Sequence, residues 1–558
     1  MVAVAGIAVS AHGCSGSDAG GAASGGSSAA AGAPAGSGGS DGIQGGSAAV
    51  AGATAAGAGG GLPEAGASSG GAASGAGGAG DASAGQTNGG SSPGGAPAAG
   101  TGGDAAGRGG TSGNGGASGA AGEGGQPASL PPGVTNLFPR PSAQAVCPDP
   151  PLRLTFAAPP AIGSSGSVRV FDAAAPGSAV ATVDFSAMTV TDTIGGQLFN
   201  MQRRVHVEGN DVVVYLPSRA LTYGKTYFVT VDAGAIRGPG NVAFSVAGSS
   251  AWSFRTAAAA PASPSSLRVA LDGSGQFCSP QGALDRVPAN NRTRLTIEIA
   301  PGTYRGNVVF SGKQNVTLRG LDRRAVLLAG VNNDKLNPGT RARALVGADN
   351  ANGLILENLR IHNQTPQGGS QAEALRLQSC DQCVVRDVDV LSLQDTLLWS
   401  GRIYAKNCYI EGNVDFVWGD GVAYFDGCEI KTVGRSGPIV QARNAAGANG
   451  YVFVDSRITS DAGLSGGVLA RIDVSGYPGS HVAFVDCVLG THIAPGGWTI
   501  TGGSATGSLR FWEYRSRNAS GALIDTSSRA AGSTQISAQQ AMALRDKAAV
   551  LGGWSPPP

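Results

Sequence analysis

Apolar and polar positions alternate with period two along most of the chain after about residue 131. Runs such as Ser167-Val-Arg-Val-Phe171, Asp211-Val-Val-Val-Tyr-Leu216 and Thr226-Tyr-Phe-Val-Thr-Val231 are separated by turn formers at Pro176-Gly177-Ser178 and Glu208-Gly209-Asn210. Short alternating runs at this spacing predict an antiparallel β-sandwich over 131–257. From about residue 266 the pattern becomes a repeat. Segments such as Ile355-Leu-Glu-Asn-Leu-Arg-Ile361, Tyr404-Ala-Lys-Asn-Cys-Tyr-Ile410 and Val452-Phe-Val-Asp-Ser-Arg-Ile458 carry Asn, Asp or Gly at the fourth place. A small or apolar residue, a variable one, and Ile, Val or Leu follow. The fourth places are Asn358, Asp387, Asn407, Gly427, Asp455 and Asp486, at intervals of 29, 20, 20, 28 and 31 residues. Strands recurring every 20–31 residues from a turn former, with no helical period between them, predict a parallel β-helix over 266–558. One late segment has a helical period. Ser537 is placed to cap it, Gly552 ends it, and Ala541, Leu544, Ala548 and Leu551 share a face.

The chain before residue 131 has no such pattern. Of 93 glycines in the 558 residues, 44 fall in 1–130, and all 31 aromatic residues lie beyond them. Residues 15–130 are expected to be a disordered Gly/Ala/Ser-rich linker, since nothing in them can bury enough apolar area to offset the entropy of ordering. A flexible chain of that length reaches on the order of 60 Å. Gly66-Ala67-Ser68-Ser69-Gly70 matches a nucleophile-elbow pattern, but in so Gly- and Ser-rich a tract, with no strand before it or helix after it, it carries no weight. Met1 to Ala11 is apolar but too short to span a bilayer, and it leads into Cys14. Residues 1–14 resemble a bacterial lipoprotein signal, which predicts export and a lipid anchor at Cys14. The formal charge of +1 divides into six acids against one arginine in 1–130 and 31 acids against 37 bases beyond. Neither part has the basic run of a nucleic-acid binder.

The repeat register places chemistry. Asp395 lies eight residues after Asp387, and Asp415 eight residues after Asn407. The two carboxylates therefore occupy equivalent places on adjacent coils, about 4.8 Å apart. Two carboxyl groups that close cannot both ionise freely, so one can serve as nucleophile while the other holds a proton. A ladder of aspartates capping turns, or a Ca²⁺ site, would show the same spacing. The neighbours favour acyl chemistry: Gln371 and Gln394 are neutral amide donors suited to an oxyanion, whereas a hard cation would want more carboxylates.

These residues fall in ordered motifs. Gly302-Thr-Tyr304, Gln371-Ala-Glu-Ala-Leu375, Gln394-Asp-Thr-Leu397, Asp415-Phe-Val-Trp-Gly419, Leu469-Ala-Arg471 and Pro495-Gly-Gly-Trp498 run in that order. The chain from about Leu267 to Trp554 resembles the pectinesterase family, the pectin methylesterases of carbohydrate esterase family 8. Gln394-Asp-Thr-Leu397 is identical to the family motif, and Gln371-Ala-Glu-Ala-Leu375 is similar to its Gln-Ala-Val-Ala-Leu. The resemblance implies a right-handed parallel β-helix and hydrolysis of galacturonate methyl esters in pectin, without metal or organic cofactor and as a monomer. It implies that Asp415 attacks the ester carbonyl, and that Asp395 protonates departing methanol and then activates water. Gln371 and Gln394 would stabilise the oxyanion, and Arg471 would hydrogen-bond Asp415 and keep it ionised. The chain departs from the family at Gly306, which replaces a Glu, at Leu398, at Trp418, and at Asp473, which stands for a sugar-stacking Trp. Trp418, Trp399 and Trp498 could supply stacking instead, and Thr365 could contact substrate. Leu221 to Asp232 and Trp252-Ser-Phe-Arg-Thr256 resemble bacterial Ig-like modules; a spacer role is expected, since no catalytic constellation appears there.

Eight cysteines suit an exported protein. Cys408 and Cys428 hold the same place on adjacent coils, a separation expected to suit a disulfide, and the family resemblance supports that pairing. Cys147 and Cys278 lie in different domains and could bridge them. Cys380-Asp-Gln-Cys383 is a lone pair that does not make a zinc site, and His12, His206, His362, His481 and His492 have no metal spacing. Other readings stay open: a chain-cutting or thioesterase-like enzyme on the same scaffold, or a non-catalytic cell-surface polysaccharide-binding protein.

Overall fold

The computed structural model describes residues 130–262, 265–504 and 507–558. The signal-like segment, Cys14 and the 15–130 tract lie outside the described residues, apart from Leu130.

Residues 134–256 form two sheets around one core and a separate two-stranded hairpin. Val134–Phe138, Leu152–Phe156, Asp211–Val214 and Val205–Glu208 make the first sheet, all antiparallel. The second runs Ala143–Val146, Ser253–Thr256, Thr226–Arg237, Ser167–Asp172 and Ala179–Asp184. Its first two strands are parallel, an exception to the expected antiparallel pattern. Inward residues of both sheets, among them Leu154, Val170, Val212, Val229 and Phe254, form one cluster around Trp252. The Trp252 Nε1–H is satisfied by Pro139 O at 2.7 Å.

Among the described residues, 23 strands from Ser266–Val269 to Ser533–Gln535 form one parallel network. Within most of it each strand pairs with the third strand on, which closes a parallel β-helix of three faces. The repeat marker is the turn. Asn358, Asp387, Asn407, Asp455 and Asp486 have φ between 50° and 58°, and Gly427 has φ 59°. Asn and Asp tolerate this left-handed conformation better than other side-chain-bearing residues. The turn redirects the strand so that the next residue points inward; these are Leu359, Val388, Cys408, Cys428, Ser456 and Cys487, all buried. Aromatic rings stack coil upon coil in the interior. Phe425 lies 4.3 Å from Phe453, and Phe453 4.7 Å from Phe484, with ring planes nearly parallel.

Cys408 and Cys428 are in register as expected, yet they are free thiols. In-register parallel neighbours stand about one strand spacing, roughly 4.8 Å, apart, within the Cα range a disulfide spans, so the register allows a bridge without making one. Each sulfur instead donates to the carbonyl two residues back: Cys408 to Lys406 O at 3.4 Å, Cys428 to Asp426 O at 3.7 Å. The bridge that forms is Cys147–Cys278, Cα atoms 5.9 Å apart, between the sandwich and the start of the β-helix. Beside it Asp149 accepts from the Cys278 and Ser279 amides at 2.9 and 2.8 Å.

A second junction is the hairpin Thr189–Ile194 and Gln197–Gln202. Its Ile194 and Phe199 pack on Val309 of the β-helix. The Asn200 amide donates to Asn337 Oδ1 at 2.8 Å, and Asn337 Nδ2 donates back to Asn200 O at 2.7 Å. Near the end of the chain, the expected single helix is two: Ala538–Arg545, with a capping box at Ser537, and Lys547–Val550. Asp546 leaves the helical conformation and accepts from Ala548 and Ala549, capping the second helix. Ala541, Leu544, Val550 and Leu551 cover Tyr404, Tyr424 and Val452 on the outside of the β-helix.

Alkylating the denatured, unreduced protein should modify Cys408 and Cys428 and spare Cys147 and Cys278; protection of the first two would contradict the thiol assignment. Because it closes a loop of 131 residues, losing the Cys147–Cys278 bridge should cost about 5 kcal/mol in a denaturant titration.

Candidate active site

The site sits on the face made by Val346–Asp349, Leu375–Leu391, Leu397–Lys406, Val417–Gly419, Pro438–Ala442, Val468–Asp473 and Trp498–Thr501. The inward column on this face is Val346, Leu375, Leu397, Val417, Val440, Ala470 and Trp498. The next position along each strand points outward, giving Arg376, Leu398, Trp418, Gln441 and Arg471. Two positions before the inward column the register stacks Glu373, Asp395 and Asp415, each on its own coil. The Asp395 amide donates to Val414 O at 3.1 Å, and the Asp415 amide to Pro438 O at 2.7 Å. Both aspartates have left-handed φ, 64° and 47°, a second column of turns like the repeat markers.

Asp395 and Asp415 are both buried, but their surroundings differ. Arg471 reaches back across two coils and grips both oxygens of Asp415, its Nε donating to Oδ1 at 2.7 Å and its Nη2 to Oδ2. Such a bidentate pair fixes the carboxylate plane as well as its charge. Asp395 faces the opposite way in electrostatic terms. Burial first, then the carboxylates of Glu373 and Asp415, push its carboxyl well above the usual carboxylate range, against the opposing pull of Arg343 and Arg443. The column thus holds one carboxylate in a tight ion pair and one carboxyl disposed to keep its proton.

Gln394 directly precedes Asp395 in the chain, and Gln371 lies two residues before Glu373. The Gln394 side chain makes no hydrogen bond to a described residue, and it borders a cavity of about 100 Å³ with Thr365, Asn413 and Arg435. The Gln371 carboxamide oxygen accepts from Ser370 Oγ at 3.0 Å, which leaves its N–H groups free to donate. Thr365 is buried and spends its hydroxyl on Asn363 Oδ1 at 2.9 Å and on Asn333 Nδ2 at 3.2 Å. It therefore holds the wall of the cavity rather than offering a free group. Among the described residues no cluster of three His, Cys, Asp or Glu side chains is placed to hold a metal ion.

The proposed stacking tryptophans are corrected by the pleat. Trp399 follows the outward Leu398 and so points to the opposite face, where it is buried and stacks on Phe425 at 5.3 Å. Trp498 belongs to the inward column and stacks on Phe511 at 4.8 Å. Trp418 does face outward beside the site, but it is 7% exposed, with the Arg443 guanidinium 4.8 Å from its ring centre. None of the three offers an open ring. The partly exposed aromatic at the site is Tyr477, whose ring lies 5.4 Å from Arg443. It arrives there because Asp473 caps the turn, accepting from the Ser475 amide at 3.0 Å, and accepts the Tyr477 amide through its carbonyl at 2.9 Å.

Four residues at the site were not singled out from sequence: Arg343, Glu373, Arg443 and Tyr477. Only Glu373 carried a signal, as a carboxylate where the family motif has Val. Arg343 donates to both Glu373 oxygens at 2.7–3.0 Å and to Asp395 Oδ2 at 2.9 Å.

The pectinesterase family model matches residues 266–549. The chain belongs to the pectinesterase family. As a member it is a carboxylic ester hydrolase. It is similar to pectinesterase 31 of Arabidopsis thaliana, 34% identical over 212 residues that cover 36% of this chain and 66% of that protein. It is also similar to pectinesterase 2 of Olea europaea, 31% identical over 262 residues that cover 45% of this chain and 70% of that one. Among solved structures it resembles the pectin methylesterase from carrot, at 26% identity and a TM-score of 0.47, over 51% of this chain and 93% of that one. The match lies wholly within the β-helix; the sandwich is outside it.

Trp399→Ala should lower the free energy of unfolding by about 3–5 kcal/mol, as expected for emptying a core site. Tyr477→Ala should change it by less than about 1 kcal/mol. Equal losses in equilibrium denaturation would put the two rings in the same environment and reverse the assignment.

Proposed function

We propose that the chain hydrolyses methyl esters of galacturonate units in pectin, releasing methanol and leaving pectate. The observation that carries this reading is the stacked carboxyl pair: Asp415 held by Arg471, and Asp395 one coil away with its pKa raised by burial. An Asp415 oxygen attacks the ester carbonyl carbon. The oxyanion of the tetrahedral intermediate is stabilised by N–H groups of Gln394 and Gln371. As the intermediate collapses, the methoxy oxygen takes the proton of Asp395 and leaves as methanol, and the galacturonate acyl group remains on Asp415 as an anhydride. Asp395, now a carboxylate, removes a proton from water, whose oxygen attacks the acyl carbon. The pectate carboxyl group departs, Asp415 is regenerated, and Asp395 carries its proton again. In this reading the sugar ring stacks on Tyr477, the partly exposed ring beside Arg443.

The substrate is a cell-wall polymer, and the Cys147–Cys278 disulfide suits an oxidising compartment, so an extracellular or cell-surface location accompanies this reading. Attachment through a lipidated Cys14 is the finer part of it. Labelled palmitate should then enter the wild type and not Cys14→Ser.

Methanol release from methyl-esterified pectin is the deciding assay. Asp415→Asn should abolish it, and Gln394→Ala should lower kcat by roughly 10²–10³. Near-full activity in Asp415→Asn would refute the mechanism, and binding of pectin without turnover by the wild type would favour a polysaccharide-binding role.

A further inference from the structure

We propose that Arg343 and Glu373 are a buried positioning pair for Asp395: Arg343 aims its carboxyl, and Glu373 limits how much positive charge it feels. This rests on the assignment of Asp395 as proton carrier in ester hydrolysis.

The geometry is specific. Arg343 and Glu373 are both buried, Glu373 with no exposed surface at all. The Arg343 Nε donates to both Glu373 oxygens, at 3.0 and 2.8 Å, and its Nη2 donates to Glu373 Oε1 at 2.7 Å. The same Nη2 donates to Asp395 Oδ2 at 2.9 Å, and Nη1 to Asp334 Oδ1 at 3.2 Å. One guanidinium therefore spans two adjacent carboxyl groups of the column. The backbone of Glu373 is held in turn, its carbonyl accepting from Asn363 Nδ2 at 3.0 Å.

Stability is a poor reason for this pair. Taking two charges out of water costs several kcal/mol per ion, and an apolar pair of similar volume is often as stable or more so. The family motif has Val at this position. What the pair adds is a hydrogen-bonded cation at Asp395, neutralised on its far side. A lone buried arginine there would favour the Asp395 carboxylate and strip the proton that methanol needs to leave. A lone Glu373 would do the reverse, setting a like charge one coil away. Asp395 also faces Asp415, Arg443 and Arg471, and Glu373 faces Arg376 besides Arg343. These charges are common to all the variants below.

The first hydrolytic step needs Asp395 protonated, so activity falls as pH rises through its pKa. Glu373→Gln keeps the shape and removes the counter-charge, so the alkaline limb of kcat/KM should move to lower pH by about one unit or more. Arg343→Met should move it to higher pH. Joining Arg343→Met with Glu373→Val should bring it back towards the wild-type position, with a smaller loss of kcat than the Arg343→Met single. The titration of Asp395 can be followed directly by carboxyl ¹³C NMR, assigned with Asp395→Asn, and should move in the same directions. Single variants whose limbs stay put or move the same way would overturn the proposal and leave the pair a packing feature. The NMR titration separates this from failure of the ester reading, which would show as no methanol release by the wild type. If Arg343→Met does not fold by circular dichroism, an unmoved Asp395 titration in Glu373→Gln suffices to overturn it.

Discussion

In-register hydrogen bonding between parallel coils is the constraint on which the site depends. Each coil copies the position of the one below at about 4.8 Å, so residues at equivalent places form columns. A column of phenylalanines packs the interior, a column of left-handed Asn, Asp and Gly turns the chain, and a column of carboxyl groups makes the site. The Asp395 and Asp415 amides are themselves bonded to the next coil. The backbone thus sets the coil spacing from which the two carboxyl groups start, and their ion partners set the rest.

That spacing creates an electrostatic problem which the two arginines divide. Three acidic side chains, Glu373, Asp395 and Asp415, stand in one buried column. Arg471 takes one end and Arg343 the other, and Asp395 lies between. Unequal sharing of cations along an otherwise regular column is what gives two chemically identical side chains different electrostatic surroundings.

Much of this was legible in the sequence because period and register are sequence properties. The Asn/Asp/Gly markers gave the coil, and counting eight residues on from Asp387 and Asn407 placed both aspartates. Two kinds of information were not carried by that count. Facing was misjudged at Trp399, where adjacency to Leu398 means the opposite side of the strand. Bonding was misjudged at Cys408 and Cys428, where equal register sets two free thiols side by side on adjacent coils without joining them. Arg343 was invisible for another reason. It reaches the site as a long side chain from a loop outside the repeat, and no periodicity marks where such a side chain ends.

The paired hydrogen bonds between Asn200 of the sandwich hairpin and Asn337 of the β-helix have a consequence for inheritance. Asn337 also donates to Asn332 Oδ1, and the neighbouring Asp334 accepts from Arg343, so the hairpin braces the segment that leads to the acidic column. With the disulfide on the other side, the sandwich is fastened to the β-helix at two separate points. Modules joined by a loose tether can be exchanged freely between genes. Fastened at both points, these two cannot part without breaking covalent and hydrogen bonds, so a change in the hairpin reaches the segment that carries Arg343.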